Sequence, residues 1–246
     1  MSKYDRCIKQ ILGEGIVKIP QEDLSILRKN LNHKFLENLR YKVLKFVNYK
    51  QDYDIIHLVE WLIQRVFSTG LLSKVKRVNA KFSTNEEPRP DVFNVLEAYL
   101  DGSTINITIN DKFQTYFEED VTTNSKTWDG FFKYIYTILI HELTHMHDKG
   151  IMHYDYNYWG TKKQKDLQNF FKSIHEMQTT AIELIVELKY KHKLSKQQVL
   201  KYLRHPTKGL NYYVDMYLEY FGIDGKETKR FLVYAYRQAL ENYDRV

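Results

Sequence analysis

The run His141-Glu142-Leu143-Thr144-His145 closes an apolar stretch that contains Phe131, Phe132, Ile135, Ile138, Leu139 and Ile140. A stretch this apolar is expected to be a buried helix, with Thr127 or Ser125 as its N-cap and Gly150 as its stop. Two histidines four residues apart share one helical face, about one turn from each other. A buried helix that carries two imidazoles and a carboxylate must give them partners. Among the groups that satisfy all three is a metal ion with its bound water. His141 and His145 therefore read as ligands of one Zn2+, and Glu142 as the group that holds the water the metal activates. Two ordinary histidines on a half-exposed helix are the competing reading.

Two protein ligands leave a zinc site too open, so a third must come from elsewhere in the chain. The next helical pattern runs from Ser173 to Leu188. Its apolar stripe is Met177, Ala181, Leu184, Ile185 and Leu188, while Glu176, Thr180, Glu183 and Glu187 follow another face. Glu176 and Glu183 are seven residues apart, about 10 Å along the axis, so only one of them can ligate. Glu176 is favoured, with Glu183 or Thr180 supporting a ligating histidine from outside the coordination sphere. Glu187 reads as the solvated side of the helix. Asp148 is a further candidate for orienting His145 or His147. The aromatic, polar stretch after His147 supplies candidate donors to a developing oxyanion, namely His153, Tyr154 and Tyr156. Trp159 is expected to pack that stretch in place.

His-Glu-Leu-Thr-His followed some thirty residues later by Glu176-Met177-Gln178-Thr179-Thr180-Ala181-Ile182-Glu183 resembles the gluzincin branch of the zincin metallopeptidases. Its texture is closest to small phage and bacterial zincin-like peptidases. The thermolysin-like proteins place an aspartate four residues after the third ligand, where this chain has Thr180. The resemblance covers residues 104–188. It implies an α+β, zincin-like fold, mainly helical, with a sheet of about three strands packed on the active-site helix. It also implies a zinc peptidase acting on a peptide or protein substrate, with His141, His145 and Glu176 as metal ligands and Glu142 as general base. In such peptidases the strand before the active-site helix lies along the cleft, which suggests residues 104–110 as an edge that pairs with substrate. An ordinary sheet strand would show the same pattern.

The rest of the chain is consistent with one or two compact units. Val78, Ala80 and Phe82 alternate within residues 75–82, and Ile105, Ile107 and Ile109 alternate within 104–110. Asp101-Gly102 separates the run 92–100 from 104–110, which is a hairpin signal. Residues 22–47 carry apolar side chains at helical spacing as one long helix. Asp54 is expected to cap a second helix that ends at Gly70, and Ser195 with Gln198 forms a capping box. The expected division is a zincin-like catalytic domain over residues 1–190, with N-terminal helices, and a basic helical subdomain over 191–246.

That C-terminal part holds 11 Lys and Arg against 6 Asp and Glu, most of the chain's net charge of +6. Interleaved tyrosines make nucleic acid a possible partner there and a SprT-like, DNA-associated protease a competing function, although a solvated helical face accounts for the excess as well. A non-peptide amide hydrolase would use the same motif, and so would a non-catalytic binding protein stapled by its metal. No apolar run is long enough for a membrane span, and the first residues carry no cleavable signal pattern. The single Cys7 excludes an intramolecular disulfide framework, so a cytoplasmic protein is expected, in a host cytoplasm if its origin is viral.

Overall fold

The computed structural model describes residues 16–50, 52–83, 96–110, 113–148 and 171–246. These are mostly helical, with one small mixed sheet, and form two compact units: Pro20–Glu142, and Leu143–Val246 together with the segment ending at Ile19. Residues 191–246 cluster in the same unit as the helix before them. Among the described residues no helix is long and apolar enough to cross a membrane.

The first unit begins with α1 (Gln21–Arg28) and α2 (His33–Tyr49). The sequence pattern predicts one helix here, but the chain breaks after Arg28. The reason is Asn32, whose side chain accepts the Phe35 N–H at 2.9 Å as an N-cap. Asparagine competes for backbone groups inside a helix and is favoured at its start. Asp54 caps α3 (Ile55–Phe67) as expected, accepting from the N–H groups of Ile56 and His57.

Strands β1 (Arg77–Ser83), β2 (Leu96–Asp101) and β3 (Thr104–Asn110) form the sheet in the order β1-β3-β2. The β2–β3 hairpin turns through Gly102 and Ser103, with Gly102 at φ 58°, a conformation glycine adopts at little cost. Ile105, Ile107 and Ile109 are fully buried on one face, and Val78 pairs with Ile105 across the parallel β1–β3 ladder. β3 is bonded on both sides. It is therefore the centre of the sheet, and the expectation that residues 104–110 offer a free edge to substrate is overturned. The Glu60 carboxylate on α3 accepts the Ala80 N–H of β1 at 2.7 Å.

A short helix, α4 (Phe113–Tyr116), runs into a π-helical turn at Phe117–Val121 and then into α5 (Ser125–His147). Asn124, one residue before the expected caps, accepts from the N–H groups of Lys126 and Thr127. The Ser125 hydroxyl instead donates to Glu37. The first turns of α5 are packed in aromatic rings. Phe117 meets Trp128 and Phe131, Phe67 stacks on Tyr136 at 6.4 Å, and Trp128 Nε1 donates to the Leu36 carbonyl at 2.8 Å. Buried Arg40 grips Glu37 through Nε and Nη2 and donates through Nη1 to the Thr122 carbonyl, fastening α2 to the turn before α5.

The second unit comprises the end of α5 and the helices α6 (Ile174–Tyr190), α7 (Lys196–Arg204), α8 (Tyr212–Phe221) and α9 (Lys226–Asn242). Here α6 packs on α7 and α9, and α8 on α9. Tyr217 stacks on Phe231 with centroids 4.1 Å apart. The capping box of Ser195 and Gln198 starts α7. The extended segment at Val17 is held from both sides: its N–H donates to Gln178 of α6 at 3.0 Å, and Gln238 of α9 donates to its carbonyl.

Two outcomes follow for stability. Removing a fully buried tryptophan leaves a large cavity, so Trp128→Ala should cost about 3–5 kcal/mol, read as a lower denaturation midpoint; an unchanged midpoint would show that the rings do not anchor α5. The hydrogen bonds from Arg40, against the cost of burial, hold the Glu37 carboxyl below its ordinary range. A lowered folded-state pKa contributes stability above the unfolded carboxylate value that is lost as pH falls through the folded one. Glu37→Gln should therefore flatten the acid limb of the stability profile below about pH 4.5; an acid limb as steep as that of the parent chain would contradict this.

Candidate metal centre

The last turns of α5 bring the His-Glu-x-x-His run into a buried setting. Glu142, Leu143, Thr144 and His145 are buried and His141 is half-buried. Glu176 enters from the first turn of α6 and is buried as well. One ring nitrogen from each of His141 and His145 and one carboxylate oxygen of Glu176 all lie within 4.8 Å of one another. His145 Nε2 is 3.6 Å from Glu176 Oε2.

The residues fit zinc. Tetrahedral bonds of about 2.0–2.2 Å place neighbouring ligand atoms about 3.4 Å apart, close to the 3.6 Å between His145 and Glu176. Two imidazoles and one carboxylate are also the donor types that a catalytic zinc site uses, with a fourth position left open. Buried carboxylates at Glu142 and Glu176 call for positive charge, which a dication supplies.

The other nitrogen of His145 is held too. Nδ1 lies 3.4 Å from the Thr179 hydroxyl. That hydroxyl donates its own proton to the His175 carbonyl at 2.8 Å, which leaves its oxygen to accept an Nδ1–H. An imidazole protonated at Nδ1 presents the Nε2 lone pair toward Glu176, as a zinc ligand requires. Residues next to these three are tied together as well. Asp148 Oδ2 and His175 Nδ1 are 2.5 Å apart, joining the end of α5 to the start of α6.

Tyr217 lies beside the same turn of α6 and donates to the Phe171 carbonyl at 2.8 Å. Burial holds its phenol well above the ordinary range; the Glu176 charge adds to this, while a hydrogen bond with Thr180 opposes it.

The remaining candidates fall into place around this arrangement. Thr180 donates to the Glu176 carbonyl at 2.6 Å, within its own helix. Glu183 accepts from Tyr213 at 2.8 Å, and among the described residues it is not part of the group that can hold a metal. Glu187 accepts from Lys191 and Asn211. Asp148, expected near His145 or His147, is bonded to His175. His153, Tyr154, Tyr156 and Trp159 lie outside the described residues, as does Gly150. Thr179 and Tyr217 are not signalled by the sequence pattern. The signal for Thr179 is only that it is one position from Thr180, and the 100° between them decides which hydroxyl faces His145.

A second group, His33, Glu37 and Asp129, also brings three donors together. His33 is two-thirds exposed, and Glu37 is already neutralised by Arg40. That group is an ion-pair cluster rather than a cation site.

The geometry ranks the candidate ligands. The purified protein should carry zinc, which His145→Ala or Glu176→Ala should largely remove, while Glu183→Ala should keep it. Thr179→Val should lower zinc affinity about 10- to 100-fold, as is typical of groups that orient a ligand, and Thr179→Ser should restore it. Metal titration with a competing chelator measures each variant; full occupancy in Glu176→Ala, or loss in Glu183→Ala, would reverse the assignment. No protein-family model, curated protein or solved structure matches this chain, so the reading of the centre rests on its own residues.

Proposed function

We propose that this chain is a zinc-dependent metallopeptidase of gluzincin type that hydrolyses a peptide bond. The observation that carries the reading is the convergence of His141, His145 and Glu176 within 4.8 Å, with the Glu142 carboxylate buried one position from His141. His141, His145 and Glu176 hold the ion. Zinc, when bound, supplies Lewis acidity that activates water and polarises a carbonyl.

Glu142 is about 100° round the helix from His141 and 60° from His145, so it points beside the ligands rather than with them. In that place it takes the proton of the attacking water and returns it to the departing amine. Burial of Glu142 keeps bulk water from competing for that proton. Thr179 holds His145 in the tautomer that ligates, and the Asp148–His175 bond holds the two ligand helices in register.

The test is Glu142→Gln, which keeps shape and removes the proton acceptor. Cleavage of a mixed peptide library should fall about 10²- to 10⁴-fold while zinc content and melting temperature stay at the parent values. Undiminished cleavage would take Glu142 out of the reaction. A parent chain that binds zinc and cleaves nothing in the library would overturn the peptidase reading in favour of a metal that ties α5 to α6.

A further inference from the structure

The side of α2 turned away from the core has a composition that solvation alone does not call for. Its buried side is Leu36, Leu39, Arg40 and Val43. At 100° per residue, Lys34, Tyr41, Lys42, Lys45 and Tyr49 fall within an arc of about 100° centred on the opposite side. All five are exposed, Tyr41 at 56% and Tyr49 at 94%. The one acid of α2, Glu37, is outside this arc and engaged by Arg40. Among the described residues none of the three lysines is in an ion pair, whereas Lys191, Lys196 and Lys229 of the second unit each have an acidic partner. The Tyr41 ring is braced by the Arg40 guanidinium at 5.0 Å.

We infer that this face of α2 binds single-stranded nucleic acid. Lys34, Lys42 and Lys45, in no ion pair among the described residues and spread over about 17 Å of helix, offer point charges to phosphates, with no carboxylate in the arc to repel them. Exposed Tyr41, between Lys34 and Lys42, and Tyr49, a turn beyond Lys45, offer flat surfaces on which unpaired bases stack, whatever the sequence. The arc contains no aliphatic side chain, and a helix that lies in a lipid surface needs an apolar face. A duplex hides the faces of its bases and would leave both rings unused. This inference does not depend on the metal centre: no residue of that centre is on α2.

Fluorescence anisotropy of the full chain with a labelled 15-nucleotide DNA, the matching RNA and a duplex, from 50 to 200 mM KCl, tests it. Single strands should bind in preference to the duplex, and the DNA and RNA arms identify which nucleic acid is preferred. In the triple variant Lys34→Gln/Lys42→Gln/Lys45→Gln the slope of log affinity against log salt should become shallower by about 2, the value expected for three phosphate contacts on a single strand. Tyr49→Ala should weaken binding about five-fold or more without changing the slope. Circular dichroism checks that these surface variants stay folded. Binding unchanged in the triple variant, equal binding of duplex and single strands with no effect of Tyr49→Ala, or binding of phosphatidylserine vesicles instead of oligonucleotides would each overturn the inference.

Discussion

The rings buried against the first half of α5 determine where everything else on that helix points. A helix is free to rotate about its own axis until side chains on one face are claimed by a partner. Trp128, Phe132, Ile135 and Leu139 recur every three or four residues and are fully buried, and the Trp128 Nε1–H bond to Leu36 adds a directional lock. With that face committed, helical geometry puts His141 about 150° and His145 about 110° away from it. The rings do no chemistry, but they settle which side of the helix the histidines occupy.

On the α6 side the constraint is polar. Glu176, Thr179 and Thr180 crowd into the first turns of a helix that is buried almost all round. Both threonines donate their hydroxyl protons to carbonyls of the preceding turn, so neither is left with an unmatched donor. Thr179 then has an oxygen to offer His145, which spares the site a further buried carboxylate. The aspartate that thermolysin-like proteins carry near this position would add negative charge; a threonine orients the imidazole with none. A neutral partner of this kind leaves the histidine less basic than a charged one would.

Legibility in the sequence follows the range of the interaction. The cap at Asp54, the capping box of Ser195 and Gln198, the hairpin at Asp101-Gly102 and the His-Glu-x-x-His spacing are all local, and each is readable from neighbouring residues. The break at residues 29–32 is hidden by leucines that keep helical spacing across it, while Asn32 acts through a single side-chain bond. The central place of β3 depends on its parallel pairing with β1, some 27 residues away in register, which no alternation pattern encodes. Choosing Thr179 over Thr180 requires knowing the rotation of α6 against the end of α5. Glu176 is legible as a candidate because few acids lie on a helix otherwise so apolar, but its meeting with His145 is a property of the folded chain.

The bond from Glu60 to the Ala80 N–H has a consequence beyond the sheet it borders. A three-stranded sheet has two open sides, and an open side is a template on which another extended chain can be added. At β1 a carboxylate from α3 takes up a donor that an incoming strand would need, and it brings a negative charge to a row of amides. Growth of the sheet in that direction would have to displace a short, charged hydrogen bond before its first new rung could form. A carboxylate of the chain's own helix thus guards that border at Ala80.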